Sequence, residues 1–334
     1  MRRLVSRHTL VIEGAIMKTR PWGRTDLTVS EIGLGGVSFP SRLHSKECIA
    51  VIHRALDLGI NLIDTAPGYK DSESIIGDAL YGGPRKSVVL SSKYYPYTDN
   101  NLNLDAGALF SSVEESLRRL RTHYLDLLHF HWVHNQRDVL EIASSPLIGA
   151  LEQLKVAGKV RHVALSEASE MDGRHDMLNS ALATAAFEGI MVTYNIFLQT
   201  ARDVIFPMAF SAGKGIVVMM PLNQPQDGAS GLLGRAQALE NVRRLIEQGQ
   251  LPDTAEYRAG GLFAFLASSR PDLTIPQVAI RFVLDRNEVS SVLVGTRSIA
   301  HLEDNFKASS SQPLSSAIHD ELTRLFSGIE THVK

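Results

Sequence analysis

Two hydrophobic rhythms alternate along this chain. Short apolar runs such as Leu62-Ile63, Val88-Val89-Leu90 and Ile216-Val217-Val218-Met219 are followed by segments whose apolar residues return every third or fourth position. The runs have the length and β-branched content of buried strands, and the segments carry the stripe of amphipathic helices. Runs centred near residues 32, 62, 89, 128, 163, 192, 217 and 292 predict eight strands. Helical spacing predicts helices over 49–56, 73–80, 106–121, 147–157, 177–187, 275–286 and 299–307, with one more carrying Pro207. Ser45 is the expected N-cap of the first. Such alternation predicts a (β/α)8 TIM barrel. A short hairpin is predicted over 20–30, turning at Arg24-Thr25-Asp26.

The stretch 223–260 does not fit the repeat. It reads as a loop up to Gly234, then an extra helix over 236–248, together an insertion after strand seven. A doubly wound open sheet is the competing fold, but its glycine fingerprint fails: Gly33 and Gly35 need a third glycine where Ser38 stands. One barrel domain over 17–334 is expected, behind a flexible extension over 1–16, with Met17 as an alternative start.

The 334 residues, 44% hydrophobic, allow a large core. A formal net charge of −2 with no long run of one sign gives no footprint for nucleic acid or an anionic membrane. No stretch approaches the roughly 20 apolar residues of a membrane helix. Arg2, Arg3 and Arg7 precede a short apolar run that His8 and Glu13 interrupt, so no secretory leader is expected. The single cysteine, Cys48, excludes an intramolecular disulfide and multi-cysteine metal sites, and its helical setting predicts a small buried thiol. A reducing, cytoplasmic location is expected. Oligomeric state has no signature here.

In such a barrel, residues at the carboxyl ends of strands face one mouth. Asp64, Lys93, His131, Ser166 and Met219 are therefore expected to converge, with Tyr69 presented by the Pro67-Gly68 turn. A free tyrosine, pKa about 10, is a poor acid–base group near neutrality. A neighbouring Lys93 ammonium is expected to lower that value, and Asp64 to orient the ammonium. A neutral His131 supplies a second hydrogen bond to a carbonyl oxygen. The set suits reduction of a carbonyl by an external hydride donor, and offers no obvious metal or covalent nucleophile. Gly35 and Gly36 end the first strand where backbone can approach a ligand closely.

Blander readings stand beside these. Asp64 with Lys93 also reads as a structural ion pair. His129, His131 and His134 also read as zinc ligands, although His129 is expected a layer deeper as a hydrogen-bonded core residue. Tyr94 or Tyr95 could replace Tyr69 as the acid, or line a substrate pocket.

Segments "GRTDLTVSEIGLGG", "LDLGINLIDTAPGY", "SSKYY", "SLRRLRTHYLDLLHFHW", "GALEQLKVAGKVRHVALSE" and "GTRSIAHLEDN", in this order, resemble the aldo-keto reductases from about Met17 to Asn305. The resemblance implies an NAD(P)H-dependent oxidoreductase that reduces an aldehyde or ketone, or oxidises a sugar or alcohol. Tyr69 is then the proton donor, and Asp64, Lys93 and His131 complete a tetrad. The alternative it implies is a non-catalytic NADP(H)-binding regulatory subunit of the same fold. Implied cofactor contacts are Gly35, Gly36, Asp64, Ser166, Glu167, Met219, Pro221, Leu222, Gly295, Thr296, Arg297, His301, Asp304 and Asn305; the implied substrate pocket includes Tyr94, Tyr95 and Trp132. The family commonly has Ser-Asn where Ser166-Glu167 stands, glutamine at Met191 and an aromatic at Met219. Many members carry Lys and Arg against the adenosine 2′-phosphate where Gly295 and His301 stand. Arg297 can grip that phosphate instead. NADP(H) is the expected cofactor, with NAD(H) possible.

Overall fold

The computed structural model describes residues 17–39, 41–83, 85–168, 172–222, 235–258, 265–266 and 268–329. The expected extension over 1–16 and the loop part of the insertion, 223–234, lie outside the described residues. The predicted hairpin is present: β1 (Thr19–Pro21) pairs antiparallel with β2 (Thr28–Ser30). Then come β3 (Ile32–Gly35), β4 (Leu62–Asp64) and β5 (Val89–Tyr94). A small antiparallel hairpin, β6 (Tyr97–Thr98) and β7 (Asn101–Leu102), interrupts the series. β8 (Leu125–Val133), β9 (Val160–Glu167), β10 (Gly189–Thr193), β11 (Gly215–Met219) and β12 (Ser291–Val294) complete it. β3, β4, β5 and β8 to β12 close into a parallel barrel, with β12 paired back onto β3.

The connections carry α1 (Ser45–Asp57), α2 (Ser72–Leu80), α3 (Ala106–Leu120), α4 (Gln136–Ala143), α5 (Pro146–Val156), α6 (Asp176–Ala183) and α7 (Ile205–Ser211). After β11 come α8 (Arg235–Glu247), α9 (Ala255–Arg258) and α10 (Ile275–Leu284); α11 (Ile299–Ser310) and α12 (Ser316–Phe326) follow β12. α8 is the extra helix expected inside the insertion. Besides the β6–β7 hairpin and α9, which were not expected, other features differ from expectation. Ser45 lies inside α1 rather than capping it, because a 3-10 turn capped by Ser41 runs straight into the helix. α4 and α12 form where no helix was expected, started by Asn135 and Ser315, whose side chains accept from the backbone N–H of Asp138 and Ile318. The helix predicted over 177–187 stops at Ala183.

Strand alternation divides the apolar residues into two cores. Ile63, Leu90, Leu128, Leu165, Val192 and Val218 face the helices. Leu62, Val89, Leu127, Ala164, Met191, Val217 and Leu293 fill the barrel interior, where Trp22, Leu27 and Val29 of the hairpin join them. Trp22 is fully buried, and it fits because residues 189 and 215 are glycines: a Cβ there would meet its ring at 2.2 and 2.4 Å. The hairpin therefore plugs the end of the barrel opposite the strand carboxyl ends.

Candidate active site

The alternation that sends Leu62, Val89 and Leu127 inward sends Asp64, Lys93 and His131 inward too, nearer the carboxyl ends of β4, β5 and β8. Asp64 and Lys93 meet there as a buried ion pair. Lys93 Nζ also donates to the Thr65 carbonyl at 2.8 Å, and Asp64 Oδ1 accepts from Ser91 Oγ at 2.7 Å. Burial alone would push Lys93 below its ordinary value; the Asp64 charge, with Tyr69, holds it above, so the ammonium persists.

Tyr69 reaches this pair from the loop after β4. The loop is tightened by two turns, Tyr69 N–H to Ala66 O and Ser72 N–H to Tyr69 O, both at 3.0 Å. Lys93 Nζ lies 4.9 Å from the Tyr69 ring centroid, and the His131 ring stands edge-on to it at 5.8 Å and 84°. Burial raises the Tyr69 pKa, the Lys93 ammonium opposes it, and the Asp64 charge adds to the rise. The Lys93 ammonium thus acts in the expected, lowering direction, but the net direction is upward: desolvation of the phenolate outweighs one ammonium already shared with Asp64. Burial and the Lys93 charge push His131 down to about 3, so its ring is neutral as expected.

Three of these side chains share a backbone device the sequence does not announce. Tyr69, His131 and Met219 are each followed by a non-glycine residue in the left-handed region: Lys70 at φ 52°, Trp132 at 60° and Met220 at 56°. Such conformations are uncommon for large side chains and gather where a chain must turn sharply at a site. At Trp132 the turn coincides with a register shift between β8 and β9 over Phe130 to Val133, a bulge that re-aims the strand end.

Other expected contacts divide. Ser166 shares the inward parity of Ala164 and is 2% exposed. Glu167 does not face the mouth. It accepts from Thr193 N–H at 2.6 Å and pairs with His175 Nδ1 at 2.7 Å, fully buried on the opposite face of β9. Its assignment to the cofactor is therefore corrected: a carboxylate one residue after an inward serine must point outward. Tyr94 is corrected for the same reason. It follows Lys93, so it enters the layer between strands and helices, its ring edge-on to Phe130 at 5.6 Å. Tyr95 stays at the rim, 43% exposed and 6.4 Å from the His131 ring, and Trp132 stands beside His131 at 6.4 Å. Tyr97, missed in the sequence, joins them, with its ring 5.2 Å from Tyr95, its hydroxyl on Asp138 at 2.6 Å and its face stacked on His134 at 4.0 Å. His134 is thereby turned to Tyr97. Among the described residues, no group of three or more His, Cys, Asp or Glu side chains is arranged to hold a metal ion.

At the strand ends, a Cβ added at Gly35 would make ordinary contact with Val294 O at 3.6 Å. At Gly36 and Gly295 a Cβ would strike Ser72 Oγ at 2.5 Å or Ser38 Oγ at 2.6 Å, so both positions are close-packed on that side. Met219 is half-buried at the rim, with Pro221 and Leu222 buried behind it. Thr296 and Asn305 are buried, and Arg297 and His301 are exposed around the start of α11, which Ser298 caps. Asp304, half-buried, accepts from Gln277 Nε2 at 2.9 Å near the start of α10.

A profile of the Aldo/keto reductase family matches residues 31–326. An Escherichia coli (strain K12) protein named NADH-specific methylglyoxal reductase is 30% identical, covering 87% of this chain and 93% of its own. L-galactose dehydrogenase of Arabidopsis thaliana is 28% identical over 87% and 88%. Among solved structures, aldo-keto reductase AKR11C1 from Bacillus halodurans (holo form) superposes with a TM-score of 0.73 at 26% identity, covering 94% of this chain and 97% of that one.

Proposed function

Because the chain belongs to the aldo/keto reductase family and is an oxidoreductase, we propose that it reduces a small aldehyde, ketone or sugar carbonyl with Tyr69 as the proton donor. The family works with nicotinamide cofactors. When bound, the nicotinamide supplies the hydride; the chain's own residues hold the carbonyl and supply the proton. Tyr69 and His131 donate to the carbonyl oxygen, and Lys93, fixed by Asp64, stands behind Tyr69 to stabilise the phenolate left after transfer.

The observation that carries this reading is the meeting of a buried Lys93–Asp64 pair, the Tyr69 ring and a neutral His131 at one end of the barrel. The residues present fit the cofactor. Inward-facing Ser166 and half-buried Met219 suit the nicotinamide end, and a thioether can cover a ring as an aromatic does. Exposed Arg297 and His301 at the start of a helix suit phosphate. NADP(H) is our preferred cofactor on the strength of Arg297; the NADH-specific relative keeps NAD(H) in view. Tyr95, Tyr97 and Trp132 form an aromatic rim for a compact substrate. The lone buried Cys48 supports a reducing, cytoplasmic setting, and among the described residues no helix is long and apolar enough to cross a membrane.

The test is turnover of methylglyoxal and a panel of small aldehydes, ketones and sugars with NADPH and NADH. Tyr69→Phe should lower kcat by at least about a hundredfold, the lower end of what general acid catalysis contributes, while cofactor affinity is retained. Wild-type rates in that variant would refute the assignment, and cofactor binding without turnover on any carbonyl would favour a regulatory subunit.

A further inference from the structure

We propose that Ser91 and His129 are positioning residues for this reaction, holding Asp64 in register with Lys93 from beneath the mouth and thereby tuning proton transfer at Tyr69. The inference rests on the reading of Tyr69 as the proton donor. Ser91 lies two residues before Lys93 on β5, and His129 two before His131 on β8, so both point inward, one layer below the tetrad. One layer further down, the same strands carry Val89 and Leu127 in the apolar core. Two buried polar side chains therefore stand where apolar ones would pack, at 1% and 0% exposure.

Their hydrogen bonds have only one consistent direction. Ser91 Oγ lies 2.7 Å from Asp64 Oδ1 and 3.1 Å from His129 Nδ1. A serine has one proton to give, and a carboxylate can only accept, so the hydroxyl donates to Asp64. His129 must then donate from Nδ1 to Ser91, leaving Nε2 as a bare acceptor, and that atom has no partner among the described residues. Keeping an unmatched polar atom in the interior is unfavourable, and the compensation lies in what the other ring nitrogen does. Burial and the neighbouring charge of Lys93 keep His129 neutral, so the ring orients Ser91 without adding a charge that would compete for Asp64.

The consequence runs through the donors of Lys93. Its ammonium has three, of which one goes to Asp64 Oδ2 and one to the Thr65 carbonyl, and the third is available for Tyr69. Asp64 Oδ1 makes no claim on that third donor because Ser91 satisfies it. Without the Ser91 hydroxyl, Oδ1 draws on Lys93, the phenolate loses part of its support, and Tyr69 becomes a weaker acid. Among the described residues, the titratable and charged groups facing this cluster are Asp64 and Tyr69 from β4 and its loop, Lys93 from β5, and His129 and His131 from β8. β9 and β10 contribute neutral Ser166, Met191 and Thr193.

The test compares pH profiles of carbonyl reduction, using the fastest substrate of the panel above, for wild type, Tyr69→Phe, Ser91→Ala, His129→Leu and His129→Asn. Ser91→Ala should lower the plateau kcat about tenfold and move the alkaline limb up by about one pH unit, with KM for cofactor and carbonyl unchanged. His129→Leu should move the limb the same way by less, and His129→Asn, whose side-chain amide can donate as Nδ1 does, should restore it. If Tyr69→Phe is inactive and the alkaline limb stays put in Ser91→Ala, the inference is wrong even where kcat falls, because a merely structural loss leaves the limb in place. Should Ser91→Ala not fold, the His129 pair decides: identical limbs in the leucine and asparagine variants overturn the proposal. A fully active Tyr69→Phe removes the functional reading and this inference together.

Discussion

Lys93 is 1% exposed, and what makes a charge tolerable there is Asp64 against it and the Thr65 carbonyl beside it. Removing one partner of such a pair strands the other, which is why neither residue alone explains the site. His131 pays its own cost of burial by staying neutral. Its folded value of about 3 lies below the ordinary 6.5, so between these two pH values the unfolded chain takes up a proton that the folded ring refuses. The stabilising contribution is therefore whole above pH 6.5 and is lost as pH falls toward 3. Thermal unfolding from pH 7.5 to 4.5 should show wild type losing Tm faster than His131→Gln on the acid side. Parallel curves for the two proteins would contradict the neutral ring. At this scale the tetrad was legible, since each member ends a predicted strand or follows one. Strand parity alone faces Glu167 and Tyr94 outward, since each follows an inward residue. Ser91 and His129 carry the same parity as Lys93 and His131 and were legible as inward, but the bond between them was not.

At the scale of elements, the first hairpin decides more than its size suggests. Its strands have three residues each, yet it delivers Trp22 onto Gly189 and Gly215 at the start of two distant strands. Trp22→Ala should lower unfolding free energy by about 3–5 kcal/mol, the usual cost of emptying a large aromatic site, read from the denaturant midpoint at unchanged slope. A loss below about 1 kcal/mol would mean that the plug is dispensable. The hairpin, the eight strands and the long amphipathic helices were all legible, because their periods are written residue by residue. The β8 bulge, the 3-10 turn before α1 and the short α4 were not: each is held by contacts or caps rather than by a long repeat.

For the whole molecule, pairing of β12 with β3 joins the first and last strands of the barrel, and we propose that residues 17–334 form a single folding unit. Closure also sets the start of α11 beside the mouth, which is what makes Arg297 a candidate for the cofactor's 2′-phosphate. Arg297→Ala should weaken NADPH binding by roughly ten- to a hundredfold, the worth of a charge-assisted bond, and leave NADH binding unchanged. Equal effects on both cofactors, in a fluorescence titration, would remove that assignment. The barrel and the convergence of Asp64, Tyr69, Lys93 and His131 at its mouth can be read without coordinates, because hydrophobic period and strand-end position are local properties. The direction of the Tyr69 shift, the pairing of Glu167 with His175 and the support beneath Asp64 come from the folded barrel alone. These depend on how much water is excluded and on which donors and acceptors meet from strands far apart in the chain, and neither quantity exists until the barrel has closed.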